Sequence, residues 1–92
     1  MRRITFLVSG RVQGVGFRAS TAAVARRLRL AGFVQNREDG AVAGHAQGEP
    51  AAIDAFVAWL QRGPTFAHVV SLEVQDLPLD DRDRDSDFEV RR

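Results

Sequence analysis

The sequence predicts an α+β fold in which two helices pack on one face of an antiparallel sheet. Three observations support this prediction. Hydrophobic residues alternate with a period of two in several short segments, two other segments carry apolar residues at helical spacing, and the segments follow in the order β-α-β-β-α-β. A chain of 92 residues has room for one hydrophobic core, so we expect a single domain over residues 1–92.

The first strand and the first helix are predicted on either side of a glycine-spaced loop. Ile4, Phe6 and Val8 occupy alternate positions of the strand. Glycine recurs between residues 10 and 16. Helical spacing follows at Phe17, Thr21, Val24, Ala25 and Leu28. We expect Gly32 to end this helix.

The middle of the chain predicts a hairpin followed by a second helix. Residues 33–36 and 41–47 are strand-like, and the Asp39-Gly40 pair between them is typical of a hairpin turn. Pro50 suits the first position of a helix, where its missing N–H breaks no hydrogen bond. An amphipathic stripe then follows at Ile53, Phe56, Val57 and Leu60.

The last part of the chain predicts one or two further strands. Gly63 ends the second helix, and residues 69–74 alternate again. Phe88 and Val90 indicate a short final strand after residues 77–86, a charged segment that we expect to be a solvated loop. Two helices with four or five antiparallel strands favour a split β-α-β, ferredoxin-like sandwich.

Composition and charge limit the functions that the chain can have. There are 13 basic and 12 acidic residues, and a net charge of +1 does not indicate binding to nucleic acid or to a membrane surface. The chain has no cysteine, which excludes disulfides, thiolate metal sites and thiol catalysis. No apolar run approaches the roughly 20 residues of a membrane-spanning helix. We therefore expect a cytoplasmic protein. We also expect it to be a monomer.

The most informative segment is the glycine loop, residues 11–18, which joins the first strand to the first helix. Gly14 and Gly16 allow the backbone to turn with positive φ and to approach a ligand closely. Successive N–H groups can then converge on an anion beside the positive end of the helix dipole. Arg18 adds a planar set of donors that suits phosphate oxygens. This pattern predicts a site for a single phosphoryl group.

Three other interpretations of the glycine loop compete with this one. A Walker loop needs a lysine followed by serine or threonine, and all basic residues here are arginine. The segment from Gly14 to Ala19 fits the dinucleotide pattern G-x-G-x-x-A, but its acidic partner Glu38 falls in the predicted hairpin turn, and the chain is too short for a doubly wound domain. Taken alone, the loop also fits a tight strand-to-helix turn that binds nothing.

Two extended motifs resemble the signatures of the acylphosphatase family. The first runs from Val8 to Arg18 as V-x-G-x-V-Q-G-V-x-F-R. The second runs from Gly32 to Gly48 as G-F-V-Q-N-x-x-x-G-x-V-x-x-x-x-x-G. Both motifs match that family at every fixed position. The family is itself a single β-α-β-β-α-β domain, so the resemblance covers nearly the whole chain.

The resemblance implies hydrolysis of a carboxyl-phosphate anhydride to a carboxylate and inorganic phosphate, with a small acyl phosphate as substrate and no metal or other cofactor. By the same resemblance, Asn36 would position the attacking water. Arg18 would bind the phosphoryl group together with the backbone amides of the loop residues Gln13, Gly14, Val15, Gly16 and Phe17.

Two alternatives to an enzyme of this kind stay open at the level of sequence. The first is a non-catalytic module of the same fold that binds phosphate or carbamoyl phosphate, as in domains of larger hydrogenase-maturation proteins. The second is an RNA-binding domain, which needs aromatic residues on its central strands, whereas residues 41–47 have none. His45 and His68 have no partner at metal-ligand spacing, so we predict no metal site.

Overall fold

The computed structural model describes residues 1–79 and 87–92, and its elements follow the predicted order. The strands are β1 (Arg2–Arg11), β2 (Ala31–Asn36), β3 (Val42–Gly48), β4 (His68–Leu77) and β5 (Phe88–Arg91). The helices are α1 (Phe17–Arg27) and α2 (Pro50–Arg62). Of the predicted solvated loop, residues 80–86 lie outside the described residues, and Leu77 belongs to β4.

The strands form one sheet in the order β4-β1-β3-β2-β5. β1 pairs antiparallel with β3 and β4, and β2 pairs antiparallel with β3. β5 instead pairs in parallel with β2, with Phe88 opposite Gly32. The sheet is therefore mixed and not purely antiparallel as predicted, because β5 pairs with β2 and both strands run in the same direction.

The core lies between the helices and one face of the sheet. Ile4, Phe6 and Val8 are buried together because alternate residues of a strand point to the same face. Phe56 of α2 lies at the centre, with ring centroids 5.4 Å from Phe6 and 6.0 Å from Phe88, both in edge-on geometry. The helices also bury Phe17, Thr21, Val24, Ala25, Ile53 and Leu60. The predicted strand alternation and helical stripes thus identify most of the core.

The hairpin turn and the second helix agree with their predictions. Across the turn, the N–H of Arg37 donates to the carbonyl oxygen of Ala41 at 2.8 Å, and Asp39 Oδ1 accepts from the N–H of Ala41 at 3.1 Å. α2 begins at Pro50 and is followed by Gly63, which has a φ of 68°. Neither α1 nor α2, the helices of the described residues, is long and apolar enough to cross a membrane.

The predicted role of Gly32 is wrong. α1 ends at Arg27, and Arg29, with a φ of 60°, turns the chain after the helix. Gly32 lies inside β2 with a φ of 144°, and a Cβ there would collide with the carbonyl oxygen of His45 on β3. Glycine at this position allows two strands to approach closely. The need for glycine here comes from the neighbouring strand, so the spacing of apolar residues in the preceding helix cannot predict it.

Replacing a central core residue tests this packing. Phe56 is fully buried, so Phe56→Ala should lower the free energy of unfolding by about 3–5 kcal/mol, measured by urea denaturation. Phe66 is a matched control because it is 80% exposed, and Phe66→Ala should change that free energy by less than about 0.5 kcal/mol. Equal losses from the two substitutions would contradict the central position of Phe56.

Candidate active site

A cavity of about 210 Å³ lies where the glycine loop, the start of α1, the end of β2 and β5 meet. Arg18 and Asn36, the two predicted catalytic residues, both line it, together with Gly14, Gly16 and Val90. The two sequence motifs therefore meet at one site. Val12, Phe17 and Ala19 complete its wall.

Valines attach the glycine loop to the core, and glycines allow its backbone to turn. Val12 is buried in the core, and Val15 packs against it. Gly14 and Gly16 have φ values of 75° and 77°, the left-handed conformation that glycine adopts without strain. Apart from the two neighbours in the chain, no described residue has a heavy atom within 4 Å of a Cβ built on either glycine, so the space in front of both is open. Left-handed residues of this kind orient successive N–H groups toward a common anion.

The N-terminus of α1 adjoins this open space. Gly16 is its N-cap residue, no side chain of the described residues caps the helix, and its first turn contains no acidic residue. The first N–H groups of a helix have no partner within the helix and lie at the positive end of its dipole. An anion in the cavity would serve as their acceptor.

Arg18 lies in the first turn of α1 and is held by β5. Its Nη1 donates to the carbonyl oxygen of Arg91 at 2.9 Å. Arg91 is itself held in place, because its guanidinium stacks 3.8 Å from the ring centroid of Phe33 and its Nε lies 3.2 Å from Glu89 Oε2. One N–H of Arg18 is thus occupied by the protein, and Arg18 also lines the cavity. Its guanidinium carries five N–H donors in one plane.

Asn36 is the last residue of β2 and lies opposite Val42 of β3. It is half-buried and lines both the cavity and a second, more open depression of about 720 Å³ above the hairpin turn. Asn36 therefore lies between the cavity and this open depression. An amide at this position can accept from and donate to a water molecule.

Two loop residues whose backbone amides are expected to bind the phosphoryl group have side chains that contact other parts of the protein. Val15 packs on the core. The side-chain nitrogen of Gln13 donates to the carbonyl oxygens of Arg37, at 2.7 Å, and Ala41, at 2.9 Å. The backbone of these residues remains part of the loop, but their side chains are engaged within the protein.

The histidines are not part of the site. His45 packs its ring 4.9 Å from that of Phe33, and its Nδ1 lies 3.1 Å from Nη2 of Arg3. His68 is exposed at the start of β4, opposite Arg11. Within residues 1–79 and 87–92, no group of three or more metal-ligating side chains comes together.

The sequence patterns do not predict the contribution of β5 to the site. Val90 lines the cavity, and the carbonyl oxygen of Arg91 holds Arg18. Phe88 and Val90 indicated a strand, but no local pattern shows which strand it will join. The parallel pairing of β5 with β2 is what brings these residues to the cavity.

Comparisons with known proteins identify a family for this chain. The family model described as acylphosphatase matches residues 4–90. An acylphosphatase of Methylococcus capsulatus is 47% identical over 79 residues, which are 86% of this chain and 86% of that protein. The crystal structure of acylphosphatase from Bacillus subtilis has a TM-score of 0.94 and 34% identity, covering 100% of both chains. An acylphosphatase structure from Coxiella burnetii has a TM-score of 0.91 and 39% identity, over 98% of this chain and 92% of that one.

The backbone conformation of the glycine loop can be tested by substitution. Gly16→Ala introduces a Cβ into open space, so we expect only the cost of a left-handed backbone, about 1–2 kcal/mol of unfolding free energy in urea denaturation. Gly10→Ala should cost more, because Gly10 also has positive φ and its Cβ would collide with the carbonyl oxygen of His68 on β4. A larger loss at Gly16 than at Gly10 would contradict the open geometry of the loop.

Proposed function

Since the chain belongs to the acylphosphatase family, we propose that Arg18 and the glycine loop bind the phosphoryl group of an acyl phosphate and that Asn36 positions the attacking water. As an acylphosphatase, the protein hydrolyses acyl phosphates to a carboxylate and inorganic phosphate. The observation that carries the proposed roles is that Arg18, the glycines of the loop and Asn36 line the same cavity.

Binding of the phosphoryl group depends on donors that are oriented before the substrate arrives. Arg18 supplies a permanent positive charge and can pair with two phosphoryl oxygens at once. The N–H groups of the glycine loop and of the first turn of α1 add neutral donors at the positive end of the helix dipole. The carbonyl of Arg91 and the packing of Val12 hold these groups in place. Preoriented donors stabilise the charge of the transition state without a reorganisation cost.

Asn36 acts on the water rather than on the phosphoryl group. Its side-chain amide can accept a hydrogen bond from the water and donate one to it, which orients an oxygen lone pair toward phosphorus. The amide is not a base, so we propose that a phosphoryl oxygen takes the proton as the new P–O bond forms. The bond from phosphorus to the acyl oxygen breaks at the same time, and its electrons leave with the carboxylate.

The leaving group explains how so simple a site is sufficient. The conjugate acid of a carboxylate has a pKa of about 4, so the carboxylate leaves without protonation and no general acid is required. Phosphoryl transfer needs positioning and charge stabilisation more than covalent chemistry. Because Arg18 and the amides supply that stabilisation, we propose that hydrolysis proceeds without a metal ion or another cofactor.

A further proposal concerns the domain organisation, the oligomeric state and the location of the protein. The cavity is formed by α1, β2, β5 and the glycine loop, which pack into one sheet-and-helix unit. We propose that residues 1–92 work as one domain and that this domain acts as a monomer. The absence of cysteine from the sequence agrees with a cytoplasmic location, where disulfides seldom form.

Removing the charge of Arg18 tests the binding role. Arg18→Gln should lower kcat/KM for benzoyl phosphate by about 10³-fold or more, as for other arginines that contact a transferred phosphoryl group. Wild-type turnover should be the same with and without a chelator. Arg62→Gln, at the exposed end of α2, is the matched control and should retain wild-type kinetics. A folded Arg18→Gln protein that kept most of its turnover would overturn the assignment.

Truncating Asn36 tests the water-positioning role. Asn36→Ala should reduce kcat by about 10²-fold, the scale of loss expected when a reacting group is misplaced. Inhibition by inorganic phosphate should be unchanged, because Arg18 and the loop donors remain. The two quantities are measured in one steady-state series with benzoyl phosphate. Weakened phosphate inhibition with normal kcat would instead identify Asn36 as a binding residue.

A further inference from the structure

We propose that Gln13 is a positioning residue, whose side chain holds the phosphoryl-binding loop and the water-positioning Asn36 at a fixed separation. The inference rests on the functions proposed above for Arg18 and Asn36. This role belongs to the side chain of Gln13, whereas the role expected from the sequence belongs to its backbone amide.

The side chain of Gln13 connects two separate parts of the chain. Its Nε2 donates to the carbonyl oxygen of Arg37 at 2.7 Å and to that of Ala41 at 2.9 Å. A primary amide nitrogen carries two hydrogens, and both are used in these contacts. Both distances are in the range of well-formed hydrogen bonds. The amide nitrogen of Gln13 is thus committed to the hairpin.

The two acceptors lie on either side of the hairpin turn, next to Asn36. Arg37 follows Asn36 directly, and Ala41 precedes Val42, the residue that pairs with Asn36 in the last rung of β2 and β3. The same two carbonyl oxygens also accept the hydrogen bonds of the turn itself, from the N–H groups of Gly40 and Arg37. Gln13 therefore restrains both sides of the hairpin beside the residue that is proposed to hold the water.

Within the glycine loop, Gln13 lies between a buried residue and a glycine that faces open space. Val12 before it is buried, whereas Gly14 after it has positive φ and open space in front of it. A restraint on Gln13 thus acts where the loop leaves the core and begins to surround the cavity. With this restraint, displacement of the loop relative to the hairpin must break two hydrogen bonds.

This restraint matters for catalysis because the two reactants are held by different elements. The loop and Arg18 hold the phosphoryl group, and Asn36 at the hairpin holds the water. In a near-attack arrangement the reacting atoms are about 3–3.5 Å apart, and an error of roughly 1 Å can cost 10²-fold in rate. The side chain of Gln13 bonds one element directly to the other, so we expect it to control kcat rather than phosphate affinity.

Removing the two hydrogen bonds while keeping the side-chain length tests the inference. Gln13→Met should lower kcat for benzoyl phosphate by about 10-fold or more and leave inhibition by inorganic phosphate within about a factor of two. Gln61→Met, the same change at an exposed position of α2, should alter neither quantity. Weakened phosphate inhibition would mean that Gln13 binds substrate, and normal kcat in a less stable protein would mean that it is only structural. Either result overturns the inference.

A charged variant adds a readout that a purely structural residue would not change. In Gln13→Glu the ionised carboxylate faces two carbonyl oxygens and has no hydrogen to donate, whereas the protonated acid donates one. The ratio of its kcat to that of wild type should therefore rise as pH falls toward the ordinary pKa of glutamate, about 4.3. A ratio that does not change with pH would contradict the inference. The variant also serves if Gln13→Met does not fold.

A double-mutant cycle distinguishes this inference from the proposed function on which it rests. If Gln13 acts through Asn36, Gln13→Met should cost much less in an Asn36→Ala background than in the wild type. If the double variant instead loses kcat by the product of the two single losses, the proposed role of Gln13 is wrong, and the proposed role of Asn36 is unaffected. An Asn36→Ala variant with wild-type kcat would overturn the proposed function of Asn36, and the inference with it.

Discussion

The site depends on the pairing of β3 with both β1 and β2. Val42 of β3 lies opposite Val8 on one side and opposite Asn36 on the other. Neighbouring strands are about 4.8 Å apart, so this single rung brings Asn36 close to the end of β1, from which the glycine loop emerges. The hydrogen-bond register of β3 therefore decides that the segments containing Arg18 and Asn36 lie at the same end of the sheet.

Two further elements, β5 and α1, complete the site beside this pair of residues. β5 pairs in parallel with β2, with Arg91 opposite Gln35, so its carbonyl reaches Arg18 at the same end of the sheet. Phe17, the first residue of α1, is buried and lies 5.7 Å from the ring of Trp59 on α2. This packing supports the start of α1, where the loop donors and Arg18 are located. The edge strand β5, the packing of α1 against α2 and the conformation of the glycine loop thus all shape the same cavity.

The proposed chemistry of the site depends on how its donors are held. Each proposed donor is attached to an element that is fixed by other interactions: Arg18 by a carbonyl of β5 and the loop by buried Val12. Donors held in this way stabilise a negatively charged transition state without having to be oriented during the reaction. Gln13 extends the same principle to the distance between the two halves of the site, because its side chain bonds to the hairpin beside Asn36.

Local patterns in the sequence determine the order of the elements, the core faces of β1, α1 and α2, and the motifs that contain Arg18 and Asn36. These properties depend on the spacing of residues along the chain, which periodicity and glycine placement express directly. Tertiary structure alone decides the parallel pairing of β5, the strand contact that requires Gly32, and the side-chain direction of Gln13. Each of these depends on a partner distant in sequence, and no local pattern specifies that partner.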